Sequence, residues 1–424
     1  MRMQIFKRNG TFRISCFLAF SIVPLQMLSH TRLSIPFSNY IIYIVYLAIL
    51  FFYYIKNTEI GISKSVRFLY YSVIVGMLFI PIFVFHVKSV ADMIYLFLSI
   101  CFLATCDILG RQLSKDNYRI IFVWVILCTA IVDFMVILNI NEINVNTISG
   151  VFYSANDKLR YRASFGFWHP NFAAIVLDTL LLLYYILLNY IVDVKLKRII
   201  VFCILINCVP LLCTGSRTAI MSAIAFICFE IGFRILKKIR SKKIRGLIAV
   251  SLVFIISFIM LNINYDYESL SKFSSGRLSA VSVGLESLGR NNSLIFGFTV
   301  SKVSNLNASL SGIDATGSDN WYYTYIARFG IVGMVFFLLP LIIMIYRIYS
   351  ALMKNLCMSY GLSAMLTLII YSIGENVLFN QGVVISLVVW IIFFSCVYTI
   401  DINKNMNKLN YIKQYSKYTD TDER

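Results

Sequence analysis

The chain has 424 residues, of which 59% are hydrophobic and only 14% are charged. A soluble globular domain has about 45–50% apolar and roughly 25% charged residues, so this composition excludes a soluble domain and indicates a membrane protein. Lysine and arginine outnumber acidic residues by 38 to 20, a formal net charge of +18. In a soluble protein that balance would suggest a nucleic-acid partner. In a membrane protein, the meaning of the positive charge depends on where the basic residues lie along the chain.

The hydrophobic residues fall into runs close to the ~20 residues that a helix needs to cross a bilayer. We predict about twelve transmembrane helices, at 12–28, 38–55, 68–86, 93–109, 120–138, 171–192, 199–213, 218–233, 246–263, 321–346, 358–373 and 382–399. The expected fold is therefore an all-α polytopic membrane protein with one transmembrane domain over 1–400 and a cytoplasmic tail over 401–424. The first run is expected to span the membrane rather than to be a cleavable signal peptide.

The basic residues predict the orientation of these helices. Most lysines and arginines fall in alternate connections, such as 195–198 and 234–245, and basic connections stay on the cytoplasmic side. This places both termini inside and leaves a long polar segment, 264–319, on the extracytoplasmic side between the ninth and tenth helices. The positive charge is then a matter of topology and contact with anionic lipid, which argues against a nucleic-acid partner.

Cysteines and histidines do not form a recognisable metal site. The ten cysteines lie within or at the edges of apolar runs and none forms a C-x-x-C pair, so they resemble small core residues. His30, His86 and His169 are too scattered for zinc spacing. No metal or cofactor is predicted.

Several arginines lie on the predicted outer side, against the general charge bias. A lone arginine there can be an interface anchor whose side chain extends to water. The alternative is an anion site, because guanidinium binds phosphate oxygens bidentately and keeps its charge. The main candidates are Arg162, Arg217 and Arg277.

Two of these arginines precede predicted helices that start at the outer face. Arg162 opens the segment 162–171, which ends on His169, Pro170 and Asn171; proline is common in a first helical turn and a helix start favours anions. Arg217 lies in Thr214–Thr218 (TGSRT), where glycine permits a tight turn and Ser216 is positioned to cap a helix. Either pattern alone is also that of an ordinary helix start.

The long outer segment carries two more patterns. Ser275-Gly276-Arg277 is followed by an amphipathic stretch, 278–288, which we expect to lie along the membrane surface or to pack on the bundle as a lid. Asp319-Asn320 ends the segment, and Gly330-x-x-Gly333 follows in the tenth helix, where small residues let another helix approach closely. Asp319 could simply cap that helix, and Glu375 is a second predicted outer carboxylate.

Taken in order, R-x-x-x-G-x-x-x-P-N, T-G-S-R-T, S-G-R and a polar pair followed by x9-G-x-x-G resemble the O-antigen polymerase and O-antigen ligase superfamily. The resemblance covers roughly residues 155–385. It implies a bacterial cytoplasmic membrane enzyme that acts on an undecaprenyl-diphosphate-linked oligosaccharide. A chain-length regulator and a flippase are further partners that it suggests.

The resemblance also implies roles for individual residues. Arg162, Arg217 and Arg277 would hold the lipid diphosphate, with Asn171 and Ser216 beside them. Ligases have histidine where this chain has Asp319, which favours a Wzy-type repeat-unit polymerase of a capsule, exopolysaccharide or O-antigen. Val281 replaces an expected tryptophan. The catalytic base is left open among Asp319, His169 and Glu375.

Three alternatives to a polymerase stay open. The first is a ligase that moves finished glycan to an acceptor. The second is a flippase for lipid-linked oligosaccharide, which should place charges in a central cavity at mid-membrane depth; the predicted helices carry few charges there. The third is a scaffold subunit without activity. Sugar identity, linkage, chain length and the type of cell envelope do not follow from the sequence.

Overall fold

The structure is a computed structural model that describes residues 10–33, 38–56, 62–79, 90–115, 117–153, 161–239, 241, 281, 284–286, 288–289, 294–297 and 320–419. The α-helices over these residues are α1 Gly10–Ser29, α2 Ser38–Lys56, α3 Lys64–Ile74, α4 Val90–Lys115, α5 Asn117–Leu138, α6 Val145–Ser149, α7 Pro170–Leu188, α8 Val194–Cys213, α9 Arg217–Lys238, α10 Trp321–Leu352, α11 Tyr360–Gly374 and α12 Val384–Thr419. A π-helical turn, Val75–Phe79, continues α3, and a 3-10 turn, Ile140–Glu142, follows α5. Every regular element among the described residues is helical.

Helices occur at eleven of the twelve predicted positions. The remaining one, the ninth predicted helix at 246–263, lies outside the described residues. Within the described residues, seven helical segments are long and apolar enough to cross a membrane: Met93–Ser114, Arg119–Leu138, Pro170–Leu188, Val194–Cys213, Arg217–Lys238, Trp321–Leu352 and Val384–Lys404. Shorter apolar helices cover Phe17–Ser29, Ile41–Phe52 and Tyr360–Gly374. The fold is therefore that of a multi-pass helical membrane protein, and the number of crossings and their orientation stay predictions.

The distribution of apolar side chains fits a bilayer rather than water. On α8, Phe202 and Leu205 are more than 60% exposed, a face that would be unfavourable in water and is suited to lipid tails. The side chains of Trp390, Phe393 and Phe394 on α12 are fully buried. α12 is thus the central helix, and α8 forms part of the lipid-facing wall.

The helix termini gather at two ends of the bundle. At one end, hydrogen bonds join His30 after α1 to Trp168 before α7, and Ala163 to Cys213 at the end of α8. The same end holds the start of α10, where Asn320 Nδ2 donates to the Ile373 carbonyl of α11 at 2.8 Å. We call it the site end.

The opposite end carries the lysines whose side chains the structure describes, and we call it the basic end. Arg347 of α10 donates to the Ser63 hydroxyl before α3 at 2.9 Å, and Ser363 of α11 donates to the Glu230 carboxylate of α9 at 2.9 Å. All lysines with described side chains lie there, and all are exposed: Lys64, Lys195, Lys197, Lys237, Lys238, Lys354 and Lys404. The orientation of this end in a membrane stays a prediction.

The predicted G-x-x-G packing takes an unexpected form. α10 is broken at Gly330, whose φ of 68° and ψ of −177° are not helical. The freed N–H groups of Ile331 and Val332 donate to the carbonyls of Leu294 and Ile295 at 3.0 and 3.1 Å. A non-helical segment, 294–297, therefore packs at Gly330, whereas Gly333 faces Gly76 of the π-helical turn, as expected for a close helix approach.

Two other predictions are refined. In the amphipathic stretch, Leu288 is fully buried against Tyr323 and Ala327 of α10, and Val281 and Leu285 pack beside it. The described residues of that stretch therefore pack on the bundle, the second of the two expected arrangements. The predicted tail boundary at 401 falls inside α12, which continues as a helix to Thr419.

Candidate active site at the site end of the bundle

The segment 161–169 forms the floor of the site end and is tied to three neighbouring elements. Ala163 N donates to the Cys213 carbonyl at 2.9 Å, and Arg32 N donates to the Gly166 carbonyl at 2.8 Å. Phe165 and Gly166 have φ values of 47° and 74°, a left-handed backbone that turns the segment back towards α1. The segment is thus positioned by backbone contacts before any side chain is considered.

Glu142 stabilises this turn. Its Oε2 accepts hydrogen bonds from Ser164 N at 2.6 Å and Phe165 N at 2.9 Å. Successive N–H groups that point to one place form an anion-binding concavity, and here the anion is a carboxylate of the chain itself. No local sequence motif indicates this role of Glu142, because its partners lie more than twenty positions away in the chain.

Arg162 lies between the starts of two helices. Its Nε donates to the Thr214 carbonyl at 2.8 Å, and its Nη2 donates to Asn171 Oδ1. Gly215 has a φ of 60°, and a Cβ there would be 3.1 Å from Arg162 Cγ. The glycine of the T-G-S-R-T pattern therefore allows both the tight turn and the close approach of the arginine.

The start of α7 explains the residues next to Arg162. His169 is the N-cap, and its Nδ1 accepts from Asn171 N at 3.1 Å. Pro170 is the first helical residue, as predicted. The side chain of Asn171 holds the Arg162 guanidinium, so its role in this structure is to orient that cation.

The segment Thr214–Thr218 connects the Arg162 guanidinium to the carboxylate of Glu375. Its Thr218 Oγ1 donates to Glu375 Oε1 at 3.2 Å, and Ser216 Oγ lies 3.3 Å from Thr218 Oγ1. Glu375 is only 5% exposed. Ser216 occupies the N-cap position of α9, but its side chain makes no capping hydrogen bond. The capping expected of Ser216 is therefore not observed.

Arg217 is directed elsewhere. Its Nε donates to the Val151 carbonyl at 3.0 Å, and its Nη2 donates to the Tyr153 carbonyl. It therefore holds the segment that follows α6 against the start of α9. Arg162 and Arg217 therefore have different partners, and of the two only Arg162 donates to the Asn171 side chain.

Two predicted site residues, Arg277 and Asp319, lie outside the described residues. The neighbour of Asp319 in the sequence, Asn320, is described. Asn320 Oδ1 accepts from Tyr323 N at 2.9 Å, so Asn320 is the N-cap of α10. Its amide group also binds the Ile373 carbonyl, two residues before Glu375.

His30, whose position in the sequence does not fit a zinc site, is a buried residue of the site end. Its ring stacks on Phe172 with 5.0 Å between centroids, and its Nε2 has no hydrogen-bond partner among the described residues. Burial lowers the pKa of His30 to about 4, because charging an imidazole away from water is unfavourable. The ring is therefore neutral at physiological pH.

The electrostatics of the site end favour anions. α7, α9, α10 and α12 all start there, and each helix start carries a partial positive charge. A buried carboxylate, Glu375, and an anchored guanidinium, Arg162, are linked through Thr214–Thr218. This combination can bind an anionic group and can accept a proton from an alcohol.

The fold defines the class as a multi-pass helical membrane protein with a polar site at one end of its bundle. Comparison of the sequence with known protein families gives no match. A comparison with curated proteins likewise gives no match.

Proposed function

We propose that this protein is a glycosyltransferase that polymerises undecaprenyl-diphosphate-linked oligosaccharide repeat units into a surface polysaccharide. The observation that carries the proposal is the segment Thr214–Thr218, which is bound to the Arg162 guanidinium at its start and to the Glu375 carboxylate at its end. Transfer of a glycan from a lipid diphosphate needs these two kinds of group. The sequence resemblance supplies the substrate class.

The reaction places separate demands on the cation and the base. The bond between the anomeric carbon and the diphosphate oxygen breaks, and the lipid diphosphate leaves with the bonding electrons. The same carbon forms a bond to a hydroxyl oxygen of the incoming lipid-linked repeat unit, whose proton passes to a base. A preorganised guanidinium stabilises the negative charge that develops on the leaving group.

Arg162 meets the demand for a cation. The Thr214 carbonyl and the Asn171 side chain fix two of its N–H groups, so its planar group is oriented before substrate arrives. Orientation in advance increases the stabilisation that a charged donor gives in the transition state. Arg217 and Arg277 are proposed to complete the diphosphate site, with Arg217 leaving its carbonyl partners when substrate binds.

Glu375 is the base that the described geometry favours. Its carboxylate already accepts a hydrogen bond from an alcohol, the Thr218 hydroxyl, as it would from an acceptor sugar. His169 Nδ1 accepts from the backbone of its own helix start, which makes it a weaker candidate. Asp319 stays a candidate, because Asn320 is bound two residues before Glu375.

The location of the site supports an extracytoplasmic reaction. The exposed lysines lie at the basic end, which the positive-inside rule assigns to the cytoplasm. The site end then faces the outer side of a bacterial cytoplasmic membrane, where lipid-linked repeat units would be joined. A twelve-helix topology with both termini inside is part of this proposal.

The proposal is tested in cells that lack the chromosomal copy and carry a plasmid-borne variant. Loss of a polymerase leaves single repeat units on the surface lipid, whereas loss of a ligase leaves long polymer on undecaprenyl diphosphate. We expect Arg162→Ala and Arg277→Ala to give single repeats, at wild-type protein levels in the membrane. Normal polymer from both variants would refute the assignment.

A further inference from the structure

Arg328 lies inside the membrane-spanning part of α10 and forms no ion pair with an acidic side chain in the part of the chain that the structure describes. It is seven residues beyond Trp321, which corresponds to about 10 Å along the helix. The ion pairs among the described residues include Arg111–Asp107, Arg234–Glu230 and Arg347–Asp401, all towards the basic end. A charged group at this depth is costly and usually faces a partner or a ligand.

The contacts of Arg328 are aromatic. Its guanidinium carbon lies 4.6 Å from the centroid of the Tyr95 ring on α4, an arrangement in which the ring face attracts the cation. The Nε atom is buried and has no hydrogen-bond partner among the described residues. A guanidinium that merely extended to water would keep its N–H groups hydrated, so simple snorkelling does not account for this atom.

A second polar group without a partner among the described residues lies one turn earlier on the same helix. Tyr325 is 3% exposed, and its hydroxyl has no hydrogen-bond partner among the described residues. It precedes Arg328 by three residues and therefore lies on the same face of α10. A buried hydroxyl and a buried guanidinium N–H without partners are both unfavourable unless a ligand binds them.

The backbone around these residues is held in place. The segment 294–297 fills the break at Gly330, two residues after Arg328, through its carbonyls. The break cannot close into a regular helix without expelling this segment, because a Cβ at Gly330 would be 2.2 Å from the Ile295 carbonyl oxygen. The position of Arg328 next to the break is thus a fixed feature of the described fold.

We propose that Arg328, Tyr325 and Tyr95 form a binding site for the phosphate group of a membrane lipid. Guanidinium and a phenol hydroxyl are both donors that suit phosphate oxygens, and the apolar surroundings suit the attached chain. The depth of Arg328 favours a lipid over a free ion. This site is separate from Arg162 and Glu375, and the inference holds whether or not the protein polymerises glycans.

The test uses the full-length protein in phosphatidylcholine nanodiscs, with native mass spectrometry to count retained molecules. Three probes are added separately: phosphatidylglycerol, undecaprenyl phosphate and inorganic phosphate. We expect wild-type protein to retain one molecule of an anionic lipid, and Arg328→Gln to lower that retention about tenfold. The lipid that is retained identifies the source of the phosphate.

Two variants protect the test from a folding defect. Tyr325→Phe removes only the unpartnered hydroxyl, so the melting temperature without lipid should be unchanged or higher while lipid retention falls about threefold. Arg32→Gln removes one exposed charge at the site end and should retain lipid like the wild type. Equal retention in wild type, Arg328→Gln and Tyr325→Phe, an equal loss in Arg32→Gln, or retention of inorganic phosphate alone would overturn the proposal.

Discussion

Thr218 Oγ1 donates to Glu375 Oε1 at 3.2 Å and so connects the start of α9 to the end of α11. Glu375 is almost fully buried, and a buried carboxylate needs such partners because burying an unpaired charge is costly. The contact shows that this carboxylate is oriented to accept from a hydroxyl group. The acid–base part of the proposed reaction depends on that orientation.

Glu375→Gln should abolish polymerisation while leaving the protein in the membrane. Glutamine keeps the shape and can still accept from Thr218, but an amide does not take up a proton at neutral pH. Loss of a general base typically costs about 10²–10⁴ in rate, which would be seen as loss of the polymer ladder per unit of protein. Thr218→Ser, which keeps the hydroxyl, is the matched control and should polymerise. A normal ladder from Glu375→Gln would exclude Glu375 as the base.

Arg162→Lys should also be severely impaired, although the charge is kept. Lysine cannot reproduce the planar fork that contacts the Thr214 carbonyl and Asn171 Oδ1 together. We expect the rate to fall by about 10²-fold, similar to the loss of one oriented donor in other active sites. Purified variants assayed with lipid-linked repeat units give the rate directly.

Arg32→Lys is the control for this substitution, because Arg32 is exposed at the same end of the bundle. It should have wild-type activity. If Arg162→Lys were as active as Arg32→Lys, the fixed orientation of Arg162 would not contribute to the reaction.

Gly330→Ala should destabilise the protein by about 2–4 kcal/mol. The backbone at Gly330 lies in a region essentially confined to glycine, and the added Cβ would collide with the Ile295 carbonyl. Gly232→Ala on α9 is the matched control, because no atom lies within 4 Å of its Cβ position. That control should be neutral or more stable by up to about 1 kcal/mol. Unfolding in detergent measures both, and equal stabilities would contradict the packing of 294–297 at the break.

Stability should decrease as the pH falls from 7 to 5, and His30 should account for much of the decrease. Its pKa is about 4 in the folded protein and about 6.5 in an unfolded chain, so the unfolded state binds the proton more tightly. Stability is therefore fully present above about pH 6.5 and is lost progressively down to about pH 4. The expected loss at pH 5 is roughly 2 kcal/mol.

The pH effect is measured from melting curves of wild type and His30→Gln at both pH values. The variant should lose much less stability on acidification. His169→Gln changes an exposed histidine at the same end and should behave like the wild type. A wild-type response in His30→Gln would assign the pH dependence to other groups.

The regular part of the fold was predictable because it depends on local composition. Apolar runs near bilayer length locate the helices, and alternate basic connections separate the two ends. Gly215 and Pro170 also act locally, through a turn and a helix start. These features follow from the residue types at a few adjacent positions.

The contacts that build the site were less predictable because they join distant parts of the chain. Glu142 binds the backbone of 164–165, and Asn320 binds the carbonyl of Ile373. Neither partner pair has a sequence signature, since one member is a backbone group. A close helix contact was expected at Gly330-x-x-Gly333. The sequence does not indicate that the helix breaks at Gly330 or that a non-helical segment packs there.

In the proposed reaction, Arg162 stabilises the leaving diphosphate and Glu375 accepts the proton of the acceptor hydroxyl in the same glycosyl transfer. The most direct measurement reconstitutes purified protein in liposomes with undecaprenyl-diphosphate-linked repeat units and follows the length of the lipid-linked glycan. Wild type and Arg32→Lys should produce a ladder of multiple repeats, whereas Arg162→Ala and Glu375→Gln should leave single repeats at equal protein. Ladders of wild-type length from both site variants, or no ladder from the wild-type protein with authentic substrate, would contradict the account.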